Sequence, residues 1–245
     1  MEYFLIGLLG LVIGAVNAIS GGGGVLAVPT LLAFGIPPLN ALALNKISDI
    51  GYVFGGIKGY FSSRNIDWKL AGILMLPFAV GSLIGLKLVI EMPQEWLKYI
   101  IFAGIIVGIF FLLKSPKSKP VETKTTFSIT GMFLIFLIGI WDGVLAMAGG
   151  IFVALVLVNC FHKNFLQAKG INVVMAIPEI CLAATILTLN STVSLTLFLV
   201  MLISSFIGGW IGSHLAVKHG SEFIRKAMGC VAILMIIKVA GDLFL

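Results

Sequence analysis

The sequence predicts an all-α polytopic membrane protein made of two inverted repeats, each a broken helical hairpin followed by three transmembrane helices. Hydrophobic residues make up 60% of the 245-residue chain, whose mean hydropathy is +1.15. Several apolar stretches are long enough to cross a bilayer. The second half also repeats the first when the sequence is shifted by 127 residues. These three observations together predict the fold class.

Charged side chains are scarce. Charged residues make up 11% of the chain, against about 25% in a soluble domain. So few charges cannot cover a water-facing surface, which excludes a soluble enzyme or a soluble binding module. Disorder is excluded as well, because it requires low hydrophobicity. The formal net charge of +6 belongs to loops, where it indicates orientation in the lipid bilayer, and we predict no nucleic-acid partner.

The spans follow from the length of the apolar stretches. A spanning helix needs about 20 mostly apolar residues. The stretches that qualify are Ala41–Phe61, Leu70–Ile90, Trp96–Leu113, Phe127–Ala148, Gly170–Leu189, Val193–Val217 and Ala227–Leu245. Val25–Ile36 and Ile151–Phe161 are apolar but reach only roughly 16–18 Å at the rise of an α-helix. We therefore predict that these two are half-helices.

A polar segment divides the chain near its middle. Lys114–Thr126 contains four lysines and two prolines, a composition typical of a solvated linker. The predicted organisation is a first transmembrane repeat over residues 1–113, a linker over 114–126 and a second transmembrane repeat over 127–245.

The two halves match in polar as well as in apolar residues, which chance similarity between glycine-rich helices does not explain. The matched pairs include Gly22-Gly23 with Gly149-Gly150, Asn45 with Asn172, Lys98 with Arg225 and, at a slightly shorter offset, Asn17 with Asp142. Internal repeats of this kind are a common construction for transporters.

Loop charges predict the orientation of the repeats. Arg64 and Lys69 lie in a loop whose counterpart, residues 190–193, is uncharged, whereas Lys163 and Lys169 lie in a loop whose counterpart in the first half is uncharged. Because basic residues concentrate in cytoplasmic loops, equivalent loops lie on opposite sides. Inverted repeats in the cell (plasma or inner) membrane follow, with a cytoplasmic linker.

The clearest local feature is a glycine run before each half-helix. Asn17, Ser20 and Gly21–Gly24 precede the first, and Gly149 and Gly150 precede the second. Four successive glycines do not favour a helix interior, and non-helical backbone at membrane depth occurs where it lines a cavity. A half-helix that begins there directs free N–H groups and a positive dipole end at an anion. The alternative is that these glycines only permit close helix packing.

Polar residues inside the spans are further candidates, because charge at the bilayer centre is costly. Asn45 and Asn172 are repeated and have amide groups suited to an anion. Lys46 and Asp49 share one helical face and are expected to pair; the alternative for Lys46 is that it reaches the headgroups. Asp142 and Glu179 lie deeper. Asp49, Asp142 and Glu179 are therefore candidate carriers of a coupling proton. The alternative is that they only form structural hydrogen bonds.

No catalytic motif is present. The sequence has no GxSxG or HExxH motif and no Gly-Lys-Ser/Thr after the glycine run, which argues against hydrolytic or ATPase chemistry. Its three histidines and three cysteines lack metal-ligand or disulfide spacing. We predict no enzyme activity, no cofactor and no metal site.

The pattern around the glycine runs resembles the sulfite exporter TauE/SafE family of bacterial and archaeal membrane transporters. The first half reads Gly10, Gly14 and Asn17, then Gly22-Gly23-Gly24, Pro29 and Leu31-Leu32, followed by Pro37-Pro38, Ala41 and Asn45, with Gly81 and Gly85 further on. The resemblance covers nearly the whole chain. The second half departs from the pattern, since it has one glycine fewer and Val156 in place of Pro29.

The resemblance implies export or exchange of small sulfur-containing anions such as sulfite, sulfonates or thiosulfate. By motif match, it places the substrate at Asn17, Ser20, Gly21–Gly24, Asn45, Gly149, Gly150 and Asn172, and we add Lys46. We expect alternating access at a midplane site between the half-helices, with an anion and the lipid bilayer as partners; a homodimer is left open. Two alternatives remain: a cation or metal permease that uses the intramembrane carboxylates, and a membrane-embedded enzyme or scaffold.

Asp142 occupies the position of Asn17 in the second half, and so brings a negative charge to the predicted path of the anion. A proton on Asp142 during transport would resolve this conflict.

Overall fold

The structure is a computed structural model, which describes residues 2–62, 66–93, 95–97, 99–100, 103 and 128–244. Helices account for nearly all of this part of the chain. They are α1 (Glu2–Ser20), α2 (Gly23–Ala33), α3 (Pro38–Ser62), α4 (Trp68–Glu91), α5 (Ile129–Leu145), α6 (Gly149–Cys160), α7 (Phe165–Met175), α8 (Ile177–Leu189) and α9 (Leu195–Phe244). Non-helical backbone at Gly220 (φ +74°, ψ −167°) divides α9 into two helical parts. The predicted all-α class is therefore confirmed. The predicted linker, and most of the predicted span Trp96–Leu113, lie outside the described residues.

Several helices are long and apolar enough to span a membrane. Within the described residues these are Tyr3–Ser20, Trp68–Glu91 and Leu195–Ile224, and the bent pair formed by α7 and α8 makes a fourth if it counts as one span. Helix α3, which contains the predicted span Ala41–Phe61, has 25 residues and is long enough, but its polar residues make it less apolar than these helices. The chain is a multi-pass membrane protein.

The two predicted half-helices are present. Helix α2 has 11 residues and α6 has 12, so each is about half as long as a full span. The backbone turns sharply before each one. Gly21 has φ +76° ahead of α2, and Ala146 and Ala148 have φ +50° and +61° ahead of α6. The chain is therefore interrupted at both predicted places.

One predicted span is not a single straight helix. Gly170–Leu189 is divided into α7 and α8, whose axes are bent by 51°. The reason is Pro178 in the first turn of α8, because proline has no N–H to donate and its ring clashes with the preceding turn.

Helix α7 also begins earlier than predicted, since Asn164 and Gln167 form a capping box at its start. Lys169 is consequently a buried helical residue and not the loop residue that the charge argument assumed.

Two glycine pairs allow helices from opposite halves to pack closely. A Cβ atom on Gly81 of α4 would lie 3.0 Å from the backbone nitrogen of Ile140 in α5, and one on Gly208 of α9 would lie 2.9 Å from that of Ala15 in α1. Such close approach of backbones is a role that glycine typically has in membrane helices. Each of the two hydrophobic core clusters contains residues from both halves, so the halves share one interior.

Helix α3 and its counterpart, the bent pair α7–α8, run in opposite directions. Asn40 near the start of α3 donates a hydrogen bond to Thr192, which follows α8, with an N–O distance of 3.0 Å. Past the other end of α3, Asp67 pairs with Lys163, which precedes α7, at 2.9 Å. Opposite directions of equivalent helices are what inverted repeats require, although the inverted topology itself stays a prediction.

Candidate functional site

The interruption before α2 and the interruption before α6 meet in the interior of the protein. A Cβ atom on Gly21 would lie 2.9 Å from the carbonyl carbon of Gly150, and one on Gly150 would lie 3.0 Å from the Cα of Gly21. The two backbones are therefore in direct contact, at a distance that only glycine permits. The N-terminal ends of both half-helices consequently face one place.

Side chains at the end of α1 hold the first interruption. The Asn17 side-chain oxygen accepts a hydrogen bond from the backbone N–H of Gly23 at 2.7 Å, and the Ser20 hydroxyl accepts one from Gly22 at 3.2 Å. The Asn17 amide nitrogen donates to Asp49 at 2.8 Å. Asn17 therefore joins the start of α2 to a carboxylate of α3.

The second interruption is held by a side chain from the opposite half. The Asn45 amide of α3 donates a hydrogen bond to the carbonyl oxygen of Ala146, and the Trp141 indole donates to the carbonyl of Met147 at 3.0 Å. Both acceptors lie in the segment between α5 and α6. Asn45 thus fixes the backbone of this turn, and its own carbonyl oxygen has no partner among the described residues.

A small polar cavity of about 30 Å³ lies at this meeting point, which is room for one or two water molecules. Its lining includes Gly24, Gly149 and Gly150. Within the described residues, no hydrogen bond engages the backbone N–H groups of these three glycines. These N–H groups belong to the first turns of α2 and α6, where a helix has unsatisfied donors. The cavity can therefore accept a group with several hydrogen-bond acceptors.

Beside the cavity lies a buried cluster of charges. The Lys46 ammonium is fully buried, and lies 2.5 Å from an Asp142 carboxylate oxygen, 2.8 Å from one of Glu179 and 3.9 Å from one of Asp49. The Ser82 hydroxyl donates to the same Glu179 oxygen at 2.9 Å. The other Glu179 oxygen has no hydrogen-bond partner in the described part of the chain.

The position of Lys46 rules out the alternative that it reaches the headgroups, and it changes what was expected of its pair with Asp49. Lys46 does not extend to the headgroups, because its attraction to Asp142 and Glu179 holds it in the interior. The expected pair with Asp49 exists but is the longest of its three ion pairs.

The two asparagines matched by the repeat occupy matching places. A Cβ atom on Gly24 would lie 3.0 Å from the Asn45 amide nitrogen, and one on Gly150 would lie 3.1 Å from that of Asn172. Each asparagine therefore lies beside the first turn of one half-helix. Their roles differ, since Asn45 donates to a backbone carbonyl, whereas the Asn172 amide makes no hydrogen bond within the described residues and lines the cavity.

Comparison with known proteins identifies the family. The family model described as "Sulfite exporter TauE/SafE" matches residues 6–239. The chain belongs to the sulfite exporter TauE/SafE family.

Similar proteins carry names of the same kind. "Probable membrane transporter protein ORF9" of Sinorhizobium sp is 27% identical over 232 residues, which cover 94% of this chain and 88% of that protein. "Probable membrane transporter protein YfcA" of Escherichia coli K12 is 29% identical over 237 residues, covering 94% and 86%. A "Probable membrane transporter protein" of Haemophilus influenzae is 24% identical over 240 residues, covering 96% and 92%. The relatives of this TauE/SafE family member are thus named as membrane transporters.

The structure of this TauE/SafE family member brings the predicted site residues together in two layers. The residues that line the cavity are Asn17, Gly21, Gly24, Asp49, Asp142, Gly149, Gly150, Asn172 and Glu179. The residues that lie behind this lining, all buried, are Ser20, Gly22, Gly23, Asn45 and Lys46. The second layer holds the backbone or the charges of the first.

Three residues near the site were missed by the sequence analysis. They are Tyr52, which lines the cavity, Ser82, which donates to Glu179, and Lys169, which donates to the carbonyl of Asn17 at 2.9 Å. The repeat offered a signal for one of them, because the shift of 127 residues aligns Tyr52 with Glu179. No comparable signal marked Lys169, since it stands next to the polar loop before α7.

Among the described residues, no group of three or more histidines, cysteines and carboxylates is placed to hold a metal ion. The three carboxylates of the site lie around Lys46 instead, and an ammonium at their centre occupies the place of a cation.

Proposed function

We propose that this protein is a secondary transporter of small sulfur-containing anions such as sulfite, thiosulfate or a sulfonate, with export as its direction. The anion binds where α2 and α6 begin. The family name and the names of the relatives support transport, whereas the substrate class and the mechanism are inferences from the site and the family. The relatives' names also argue against an enzyme.

The observation that supports this proposal most strongly is that the N-termini of both half-helices meet at one cavity. The unengaged N–H groups of Gly24, Gly149 and Gly150 and the Asn172 amide supply hydrogen-bond donors to it. The aligned peptide dipoles add positive potential at each helix start. The oxygen atoms of sulfite, sulfonate or thiosulfate are acceptors, so a tetrahedral or pyramidal oxyanion suits this set of donors.

The charges beside the cavity set a condition on anion binding. Lys46 faces three carboxylates, which are Asp49, Asp142 and Glu179. A single ammonium offsets only part of this negative charge, so an anion is bound more favourably when a proton accompanies it. Movement of a proton together with the anion is therefore part of the proposal, with the three carboxylates as candidate carriers.

The size of the cavity supports a mechanism that involves conformational change. About 30 Å³ is too little for a sulfur oxyanion. We infer that the helices packed through the Gly81 and Gly208 contacts move against each other to open the cavity to one side and then to the other, as in transporters built from inverted repeats. The cell membrane is the proposed location, with the linker 114–126 in the cytoplasm.

A cation permease is the second candidate, because three carboxylates meet at one cavity. Lys46 argues against it, since a permeating cation would have to approach a buried ammonium.

Flux into liposomes tests the proposal and separates these candidates. The purified protein is reconstituted and uptake of ³⁵S-thiosulfate is measured against protein-free vesicles, with competition by sulfite, methanesulfonate and chloride. We expect saturable uptake that sulfur oxyanions inhibit and chloride does not. Uptake of Na⁺, K⁺ or a divalent cation with no anion movement would favour the cation permease, and the absence of all flux would contradict transport.

A further inference from the structure

Lys169 is a second buried lysine, and it contacts the first interruption. Its side chain on α7 is fully buried. The ammonium donates a hydrogen bond to the carbonyl oxygen of Asn17 at 2.9 Å and lies 5.8 Å from the centre of the Tyr52 ring. Asn17 and Tyr52 both line the cavity. Lys169 therefore contacts two residues of the cavity lining.

The surroundings of Lys169 differ from those of Lys46. Lys46 has three carboxylates within ion-pair distance, whereas within the described residues no carboxylate lies within 4.0 Å of Lys169. On α3, Tyr52 faces it, and Asp49 acts on it only from beyond ion-pair distance. Helix α1 supplies a carbonyl. The other acidic groups on elements packed against α7 do not lie within 4.0 Å of Lys169 among the described residues: Glu179 of α8 pairs with Lys46, Asp67 before α4 pairs with Lys163, and Glu222 of α9 follows Ser221, whose hydroxyl accepts a hydrogen bond from Leu166 at the start of α7.

This difference decides which lysine can change its protonation state. A buried ammonium without a paired anion carries a desolvation cost of several kcal/mol. The hydrogen bond to a carbonyl oxygen does not require the charge, since a neutral amine also donates to a carbonyl. An anion that enters the cavity supplies the missing negative charge. Proton binding at Lys169 and anion binding in the cavity therefore stabilise each other.

We propose that Lys169 takes up the coupling proton together with the transported anion. The proton comes from water on the side to which the cavity is open and forms the third N–H bond of the ammonium. It leaves again to water when the anion departs on the other side. One monovalent anion and one proton then cross in the same direction without net charge, so export is driven by the outward anion gradient and not by an inward proton gradient. This role rests on the proposed transport function and replaces the three carboxylates as the proton carrier.

Calorimetry on the intact, purified protein tests this role. Thiosulfate and methanesulfonate are titrated into the protein in two buffers that differ in ionisation enthalpy, because neither anion itself binds a proton near neutral pH. The difference in heat gives the number of protons taken up per anion. We expect about one proton in the alkaline range, and an affinity that falls about tenfold for each unit of rising pH there.

Three variants make the assignment specific. Lys169→Arg keeps a permanent positive charge, so we expect anion binding without proton uptake and with little dependence on pH. Lys169→Met removes the charge, so we expect anion affinity at least tenfold weaker, again without proton uptake. Lys163→Arg is the matched control on the neighbouring loop, and it should keep the wild-type proton uptake because its ion pair with Asp67 lies away from the cavity.

The outcomes distinguish this inference from the proposed function. If the wild type binds neither anion, the transport function and the role of Lys169 both fail. If it binds an anion but Lys169→Arg still takes up a proton, the function stands and the role of Lys169 is wrong. Should the Lys169 variants not fold, Asp49→Asn, Asp142→Asn and Glu179→Gln decide: uptake that persists in all three supports Lys169, and its loss in any one assigns the proton to that carboxylate.

Discussion

Lys46 and Asp142 lie in opposite halves of the chain, yet the lysine ammonium lies 2.5 Å from the aspartate carboxylate in the interior of the protein. The neighbouring Asn45 reaches the same region and donates to the carbonyl of Ala146. Asn45 of α3 therefore holds the interruption that precedes α6, and Lys46 holds the end of α5 that leads into it. In the other direction, Lys169 of α7 donates to the carbonyl of Asn17 before α2. Each half thus supplies side chains that hold the interruption of the other half.

Loss of the Lys46 charge should destabilise the protein strongly. Lys46→Met leaves the Asp142 and Glu179 carboxylates buried without their cation, and breaking a buried ion pair in this way costs about 3–5 kcal/mol. A detergent-solubilised sample should therefore unfold at a clearly lower temperature or denaturant concentration. Lys163→Met is the matched control: its partner Asp67 is 22% exposed and can be hydrated when the lysine is lost, so a smaller loss than in Lys46→Met is expected. Equal losses in the two variants would show that the central cluster has no special importance.

Alanine at the contact between the two interruptions should impair transport. A Cβ atom on Gly24 would lie 2.6 Å from the carbonyl oxygen of Ala146, and one on Gly150 would lie 3.0 Å from the backbone of Gly21. Gly24→Ala and Gly150→Ala therefore push the two interruptions apart, and we expect at least a tenfold slower flux in liposomes, corresponding to about 1.4 kcal/mol.

Gly72 provides the control for these substitutions, because a Cβ atom there would meet no heavy atom within 4 Å. Gly72→Ala should leave flux unchanged and stabilise α4 by up to about 1 kcal/mol. Normal flux in Gly24→Ala and Gly150→Ala would contradict the importance of close contact.

The two repeated asparagines should respond differently to substitution. Asn45→Leu removes the donor to the Ala146 carbonyl and leaves that group unsatisfied, which should cost about 1–3 kcal/mol of stability. Asn172→Leu removes only a group that lines the cavity, so stability should change little while the KM for thiosulfate rises about tenfold, as the loss of about 1.4 kcal/mol of binding requires. Thermal unfolding and liposome kinetics on both variants check this. A stability loss in Asn172→Leu with unchanged KM would show that Asn172 is structural.

Inverted repeats predict which loops are accessible from each side. Cys160, Cys181 and Cys230 are first replaced by alanine, and single cysteines are then introduced as Ser191→Cys after α8 and Lys117→Cys in the linker. A membrane-impermeant maleimide should label Ser191→Cys in intact cells but label Lys117→Cys only after the membrane is opened. Labelling of both from the same side would contradict the inverted topology.

Much of the fold could be predicted because it depends on hydrophobic length and on glycine. The apolar stretches after Gly24 and Gly150 are too short to cross a bilayer, which predicts half-helices, and helices α2 and α6 confirm this prediction. The bend between α7 and α8 was harder to foresee, because Pro178 indicates a helix distortion but not whether the span divides.

The partners of the buried charges could not be predicted from spacing. A spacing of three residues places Lys46 and Asp49 on one helical face, so their pairing could be predicted. The shorter ion pairs of Lys46 are with Asp142 and Glu179 on other helices, and these depend on tertiary packing. Lys169 illustrates the same limit: hydropathy assigns it to a loop, and only the capping box at Asn164 shows that it lies inside a helix. The assignment of these residues to substrate or proton binding stays a prediction.

Anomalous diffraction from crystals grown with selenate or with thiosulfate tests most directly whether an anion rests between the two half-helices. We expect a selenium or sulfur peak within hydrogen-bond distance of the backbone nitrogens of Gly24, Gly149 and Gly150, with the Asn172 amide turned towards it. A well-defined peak elsewhere in the protein, with none at the start of α2 and α6, would contradict the account.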